Sequence, residues 1–168
     1  MKKPYRPPRE VLAEVEQVLA RRYQPSDPSP LDAVAELLHE GRHYFRTGIS
    51  LVVGERVERQ AWRGPAQPGG ATRSELSQPI KLAGRVLGVI EAESDRAEAF
   101  SSEDRVLVKE VAERLARFLT GRGKYLVRKA REAAGGSAKA ASSPERHQPS
   151  SERATAPRAA AAGENSRS

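Results

Sequence analysis

Ser74-Glu75-Leu76-Ser77-Gln78-Pro79-Ile80 is followed by Lys81-Leu82-Ala83-Gly84-Arg85 and then by Val86-Leu87-Gly88-Val89-Ile90-Glu91-Ala92-Glu93-Ser94. Two short apolar runs, Ser77–Leu82 and Val86–Ala92, flank Ala83-Gly84, a turn that tolerates positive φ, so the spacing predicts a β-hairpin. The second run is rich in Val, Ile and Leu and has strand length. Asp95-Arg96-Ala97-Glu98-Ala99-Phe100-Ser101-Ser102-Glu103-Asp104 comes next. Ser101 suits a helix N-cap, Glu103 and Asp104 sit in the positive first turn, and Asp104 can close a capping box with Ser101. Leu107, Val108, Val111, Ala112, Leu115, Phe118 and Leu119 then recur at helical spacing, which predicts a helix over Ser102–Leu119.

Working outward, Pro7-Pro8 precedes a stripe of Val11, Leu12, Val15, Val18 and Leu19, an amphipathic helix over Arg9–Arg22. Tyr23 to Pro28 reads as a proline-containing linker. Ser29-Pro30 opens a second helix with Leu31, Val34, Ala35 and Leu38 inward and Gly41 as its stop. Tyr44–Val53 and Arg56–Trp62 read as paired strands around Gly54-Glu55. Gly48 weakens the first strand or marks a close backbone approach, and Val57, Arg59 and Ala61 are expected on one face. Arg63–Arg73 is a Gly/Pro-rich loop of about ten residues. Beyond Leu119 helical potential resumes briefly through Tyr125, Leu126 and Val127 after a break near Gly121. From Ala133 to Ser168 the composition shrinks to small, polar and charged residues with no aromatic, so this tail is expected to be disordered.

These motifs carry a resemblance. Ser-Glu-Leu-x-x-Pro-Ile, Gly-x-Val-x-Gly-Val-x-x-x-Glu-Ser and Ala-Phe-Ser-x-Glu-Asp resemble the C-terminal half of a GAF domain. The likeness runs from about Leu31 to Leu119 and is strong over Ser74–Leu119. It implies an α+β fold, a GAF-like central antiparallel sheet with flanking helices, followed here by a disordered C-terminal tail. The expected organisation is an N-terminal amphipathic helix and linker (1–28), the GAF-like domain (29–120), a basic helical extension (121–132) and the low-complexity tail (133–168). GAF domains place a long pocket-roofing segment where this chain has Arg63–Arg73, so the lid is expected to be reduced to a turn.

The chain has 168 residues, enough for one domain with a core. It holds no cysteine, which excludes a disulfide, a thiolate zinc site, an iron–sulfur cluster and a cysteine nucleophile within the chain. A net charge of +7 and a pI near 10.0 favour acidic partners. Arg122, Lys124, Arg128, Lys129 and Arg131 cluster after the last apolar turn, where cations also suit a helix end. No apolar run approaches a membrane span and prolines interrupt any leader, so the expected location is the cytoplasm.

Glu91 and Glu93 lie two apart on one strand and share a face, with Glu75 at the entry to its neighbour; three carboxylates on one face would attract a cation or an ammonium group. The resemblance extends to the free methionine-(R)-sulfoxide reductases, a GAF-fold family that holds its substrate with acids at the places of Glu75, Glu91 and Glu93. That family works with cysteine thiolates, which this chain lacks, and its Trp-x-Gly-x-Tyr-Leu strand reads Arg46-Thr47-Gly48-Ile49-Ser50-Leu51 here. Arg46 is therefore expected to reach an acid and neutralise the site. Glu75, Glu91, Glu93 and Arg46 are the candidate ligand-binding residues, with structural ion pairing as the alternative.

No catalytic residue, cofactor or metal is expected. His39 and His43 are spaced for a helical metal site, but Gly41 between them argues for exposed helix-end histidines; His147 lies in the tail. Ser94-Asp95 has no histidine partner, Gly69-Gly70 is not a phosphate loop, and Trp62 reads as a core or sheet-edge packing residue. Tyr5, Tyr23, Tyr44 and Tyr125 do not interleave with a basic strand face.

The leading expectation is a non-enzymatic GAF-like signalling or assembly module. It would dimerise, or bind a partner protein, through the Arg9–Arg22 and Ser102–Leu119 helices. The alternatives are an amino-acid or amine binder with a degenerate reductase-like pocket, and nucleic-acid association through the basic C-terminal segment. No membrane partner is expected.

Overall fold

A computed structural model of the chain describes residues 4–24, 26–66 and 72–140. The elements run α1 (Pro8–Ala20), α2 (Pro30–Arg42), β1 (Arg46–Val53), β2 (Arg56–Arg63), β3 (Ser74–Leu82), β4 (Arg85–Ser94), α3 (Ser102–Thr120) and α4 (Lys124–Ala140). Two hairpins, β1–β2 and β3–β4, join edge to edge through β1 and β4 into one antiparallel sheet of order β2-β1-β4-β3. The β3–β4 turn carries Ala83 and Gly84 at positive φ (49° and 76°), the turn that these residues announce.

Strand alternation divides the sheet into two faces. Ile49, Leu51, Ala61, Leu76, Ile80, Ile90 and Ala92 are buried toward the helices. On this face α2 packs on β1 and β2, and α3 packs on β3 and β4. The helix α1 lies across α2 and α3 as a further layer. Its stripe is consumed there: Val11 is 1% exposed and Val15 0%. Arg114 Nε donates to Glu16 (2.7 Å), and Arg122 Nη1 donates to the Ala20 carbonyl (2.7 Å), tying α1 to α3 and its C-terminal turn.

This corrects the expectation that the α1 stripe reaches a neighbouring subunit. Intrachain docking carries no association entropy, so the stripe finds its own domain first. The α3 stripe is likewise buried inside the chain, with Val108, Val111 and Leu115 at 0% exposure.

Local details differ from expectation in three further places. α2 runs through Gly41 and ends at Arg42, with His43 as the left-handed cap (φ 55°). Gly41 serves packing instead: a Cβ there would stand 3.2 Å from Val11 Cγ2. In β2 the register shifts so that Ser50 pairs with Arg59 and Ile49 with Ala61; the bulge puts Arg59 outward and Ala61 inward, so they do not share a face. After α3 the chain breaks at Gly121–Gly123 as expected, and the Phe118 ring fills the space a Gly123 side chain would need.

Finally, α4 then runs to Ala140 rather than fading by 132, held by Leu126 and Ala130 in the core (9% and 5% exposed). Residues 133–140 are thus helical. The remainder of the expected tail (141–168, with His147) and residues 67–71 of the shortened loop, Gly69-Gly70 among them, lie outside the described residues.

Candidate functional site

The face of the sheet turned away from α2 and α3 carries the polar candidates. Arg46, Glu93 and Glu75 are direct cross-strand partners on β1, β4 and β3, as are Gly48, Glu91 and Ser77. Such partners share a face with Cβ atoms roughly 5 Å apart. Arg46 Nη2 lies 3.0 Å from Glu93 Oε2. Thr72 bridges the pair, its hydroxyl accepting from Arg46 Nη2 (3.0 Å) and donating to Glu93 Oε2 (2.7 Å).

Trp62, opposite Gly48, lays its ring on that glycine: a Cβ on Gly48 would meet the Trp62 ring at 3.0 Å and the Glu91 carboxylate at 3.7 Å. The Arg59 guanidinium covers the same ring at 4.3 Å from its centroid.

The expected residues are therefore brought to one face but not to one point. Arg46 and Glu93 form a buried-to-half-buried ion pair. Glu91 stands by the Trp62 ring, and Glu75 is exposed. Among the described residues no three acidic or histidine side chains gather as a metal site. His39 is in α2, but His43 has left the helix and faces the Tyr5 ring edge-on. The basic side chains of Arg122, Lys124, Arg128, Lys129 and Arg131 are all exposed.

A second polar constellation was not legible in the sequence. Asp104 closes the capping box with Ser101 through Oδ2: the Ser101 amide donates to it (3.0 Å), and the Asp104 amide donates to Ser101 Oγ (3.2 Å). Its other oxygen, Oδ1, accepts from Arg42 Nε (2.9 Å), Arg42 Nη2 (2.7 Å) and the Tyr44 hydroxyl (2.8 Å). Asp104, Arg42 and Tyr44 are buried, and Arg42 Nη1 goes on to the Arg6 carbonyl (3.0 Å) while Tyr5 stacks on the guanidinium.

Burial by itself would raise the Asp104 carboxyl; the hydrogen bonds from Ser101, Arg42 and Tyr44 outweigh it and hold the group below its ordinary value. Tyr44 is pushed well up, by burial first and then by its bond to Asp104. The signal that could have found this hub is a capping carboxylate with one oxygen left over at a helix start that must be buried. Its partner Arg42, 62 residues away, has no local marker. The hub joins the ends of α2 and α3 to the start of β1. It is structural, with every acceptor filled.

The profile described as GAF domain matches residues 10–120, and the chain belongs to that family. Among solved structures, it is similar to the free methionine-R-sulfoxide reductase of Neisseria meningitidis in complex with its substrate (22% identity, TM-score 0.56, 73% of this chain and 91% of that one). It is similar also to the Staphylococcus aureus fRMsr in complex with substrate (12% identity, TM-score 0.58, 71% and 99%). The GAF domain of a phosphoenolpyruvate-protein phosphotransferase from Coxiella burnetii is alike to the same degree (15% identity, TM-score 0.57, 71% and 97%). A search of curated proteins finds no match. At these identities the likeness is one of fold, which reductases and non-reductase GAF domains share. Among the described residues no helix is long and apolar enough to cross a membrane.

Proposed function

We propose that this protein is a non-enzymatic GAF module that acts through another chain, in signalling or assembly. The observation that carries the reading is the Arg46–Glu93 pair with its Thr72 bridge, at a position where the resemblance to the reductases implies a substrate-holding acid. One former ligand acid is occupied from within. The absence of cysteine from all 168 residues supports the same reading, since thiolate reduction has no nucleophile here. Assembly with a second copy or another protein would use surfaces other than the α1 stripe.

The test is incubation with free methionine sulfoxide and a thiol reductant system. No turnover above a denatured control is expected, and measurable turnover overturns the proposal.

A second reading is favoured by one observation: Glu91 has no ion pair among the described residues and stands beside the Trp62 ring. A carboxylate next to an aromatic face suits an amine or amino acid. A bound ligand at a hundred times its Kd stabilises by about 2.7 kcal/mol, so a thermal-shift screen of amino acids and amines separates the two readings.

A further inference from the structure

The helical side of the molecule carries a groove that neither reading uses. Three recesses follow one another along it, of about 430, 540 and 330 Å3. The first and second share Phe118 and Arg122; the second and third share Tyr23, Gln24 and Tyr125. The middle recess is lined by Arg21, Arg22 and Arg122 with the rings of Tyr23, Phe118 and Tyr125, and no carboxylate lines it. Arg21 and Arg22 are exposed and have no carboxylate partner among the described residues. Arg122 is held in place by its bond to the Ala20 carbonyl, leaving its other donors facing out. Tyr125 is 38% exposed.

We propose that this groove binds single-stranded nucleic acid, the backbone along Arg21, Arg22 and Arg122 and bases against Tyr23 and Tyr125. In the middle recess, cations without a carboxylate partner stand beside flat aromatic faces, which matches a strand whose phosphates and bases alternate. The net charge of +7 draws the polyanion in. An anionic membrane would need protruding aliphatic side chains, and a protein helix would need an apolar floor. The middle recess offers rings and guanidinium groups instead, while Glu16 and Leu19 line the first recess and Asp27 and Lys129 the third. Tyr23 and Tyr125 come together only in the folded chain, from the end of α1 and the first turn of α4.

The experiment is fluorescence anisotropy of the full chain with labelled 15-nucleotide oligo(dT) and oligo(U), titrated from about 50 to 200 mM salt. Binding is expected with a log–log salt slope near −2, the value for about three phosphates on a single strand. Arg21→Ala and Arg22→Ala should each flatten the slope by roughly 0.7. Tyr125→Leu should weaken binding roughly tenfold with the slope unchanged.

All three positions are exposed, and an unaltered thermal transition confirms that each variant is folded. Absence of binding at low salt overturns the proposal. So does binding that Tyr125→Leu leaves intact, the mark of a cationic tail or a general polyanion site. Equal affinity for duplex overturns it as well, as does binding only to phosphatidylcholine–phosphatidylserine vesicles.

Discussion

Replacing Asp104 by alanine removes a carboxylate that accepts hydrogen bonds from Arg42 Nε, Arg42 Nη2, the Tyr44 hydroxyl and the Ser101 amide. Removal leaves the Arg42 side chain, which is 0% exposed, with only the exposed Glu103 carboxylate at 3.5 Å as counter-charge. Breaking one side of such a pair costs about 3–5 kcal/mol. Loss of the helix cap adds roughly 1 kcal/mol. Against a total of about 5–15 kcal/mol for a domain, Asp104→Ala should lower Tm by on the order of 10 °C or more, or prevent folding.

The double variant Arg42→Met/Asp104→Leu separates pairing from packing. Apolar replacement of both partners is often close to neutral, so the double variant should be more stable than either single one.

Acid gives an independent reading. An unfolded aspartate titrates near 3.8, and the folded Asp104 lies below that. Its contribution is therefore fully present above about pH 4 and lost as pH falls through the folded value. Wild type should lose Tm below pH 4 more steeply than the double variant. Chemical denaturation followed by circular dichroism at pH 7 and pH 3 measures both effects. A cost below about 1 kcal/mol for Asp104→Ala, or equal acid slopes, would refute the reasoning.

Two further outcomes follow from the packing and the sheet face. Val15→Glu places a charge at a position with 0% exposure between α1 and the α2–α3 layer, so it should unfold the domain rather than split a dimer; light scattering alongside a thermal melt distinguishes these. Arg46→Ala frees the Glu93 carboxylate on the sheet face that carries Trp62, the sole tryptophan, and titration of Trp62 fluorescence with methionine or a simple amine should then show binding that wild type lacks.

The elements were readable because their signals are local. The Ser101–Asp104 cap, the Ala83-Gly84 turn and the 3.6-residue stripes each act within a few residues of chain, and the GAF motifs lie in one continuous run. Glu91 and Glu93 could be assigned to one face from strand period alone. Local pattern, however, says that a stripe must be covered and not by what: the α1 valines pack equally well on a neighbour or on their own α2 and α3. Only the tertiary structure chose, because a tethered helix docks without the loss of translational freedom that a dimer requires.

The bulge at Gln60 likewise depends on pairing with β1, which reverses the side of every residue beyond it. Arg42 and Asp104, Arg46 and Glu93, and Tyr23 and Tyr125 are far apart in the chain. Their meeting is set by strand order and helix layering, the long-range part of the fold that no window of residues encodes.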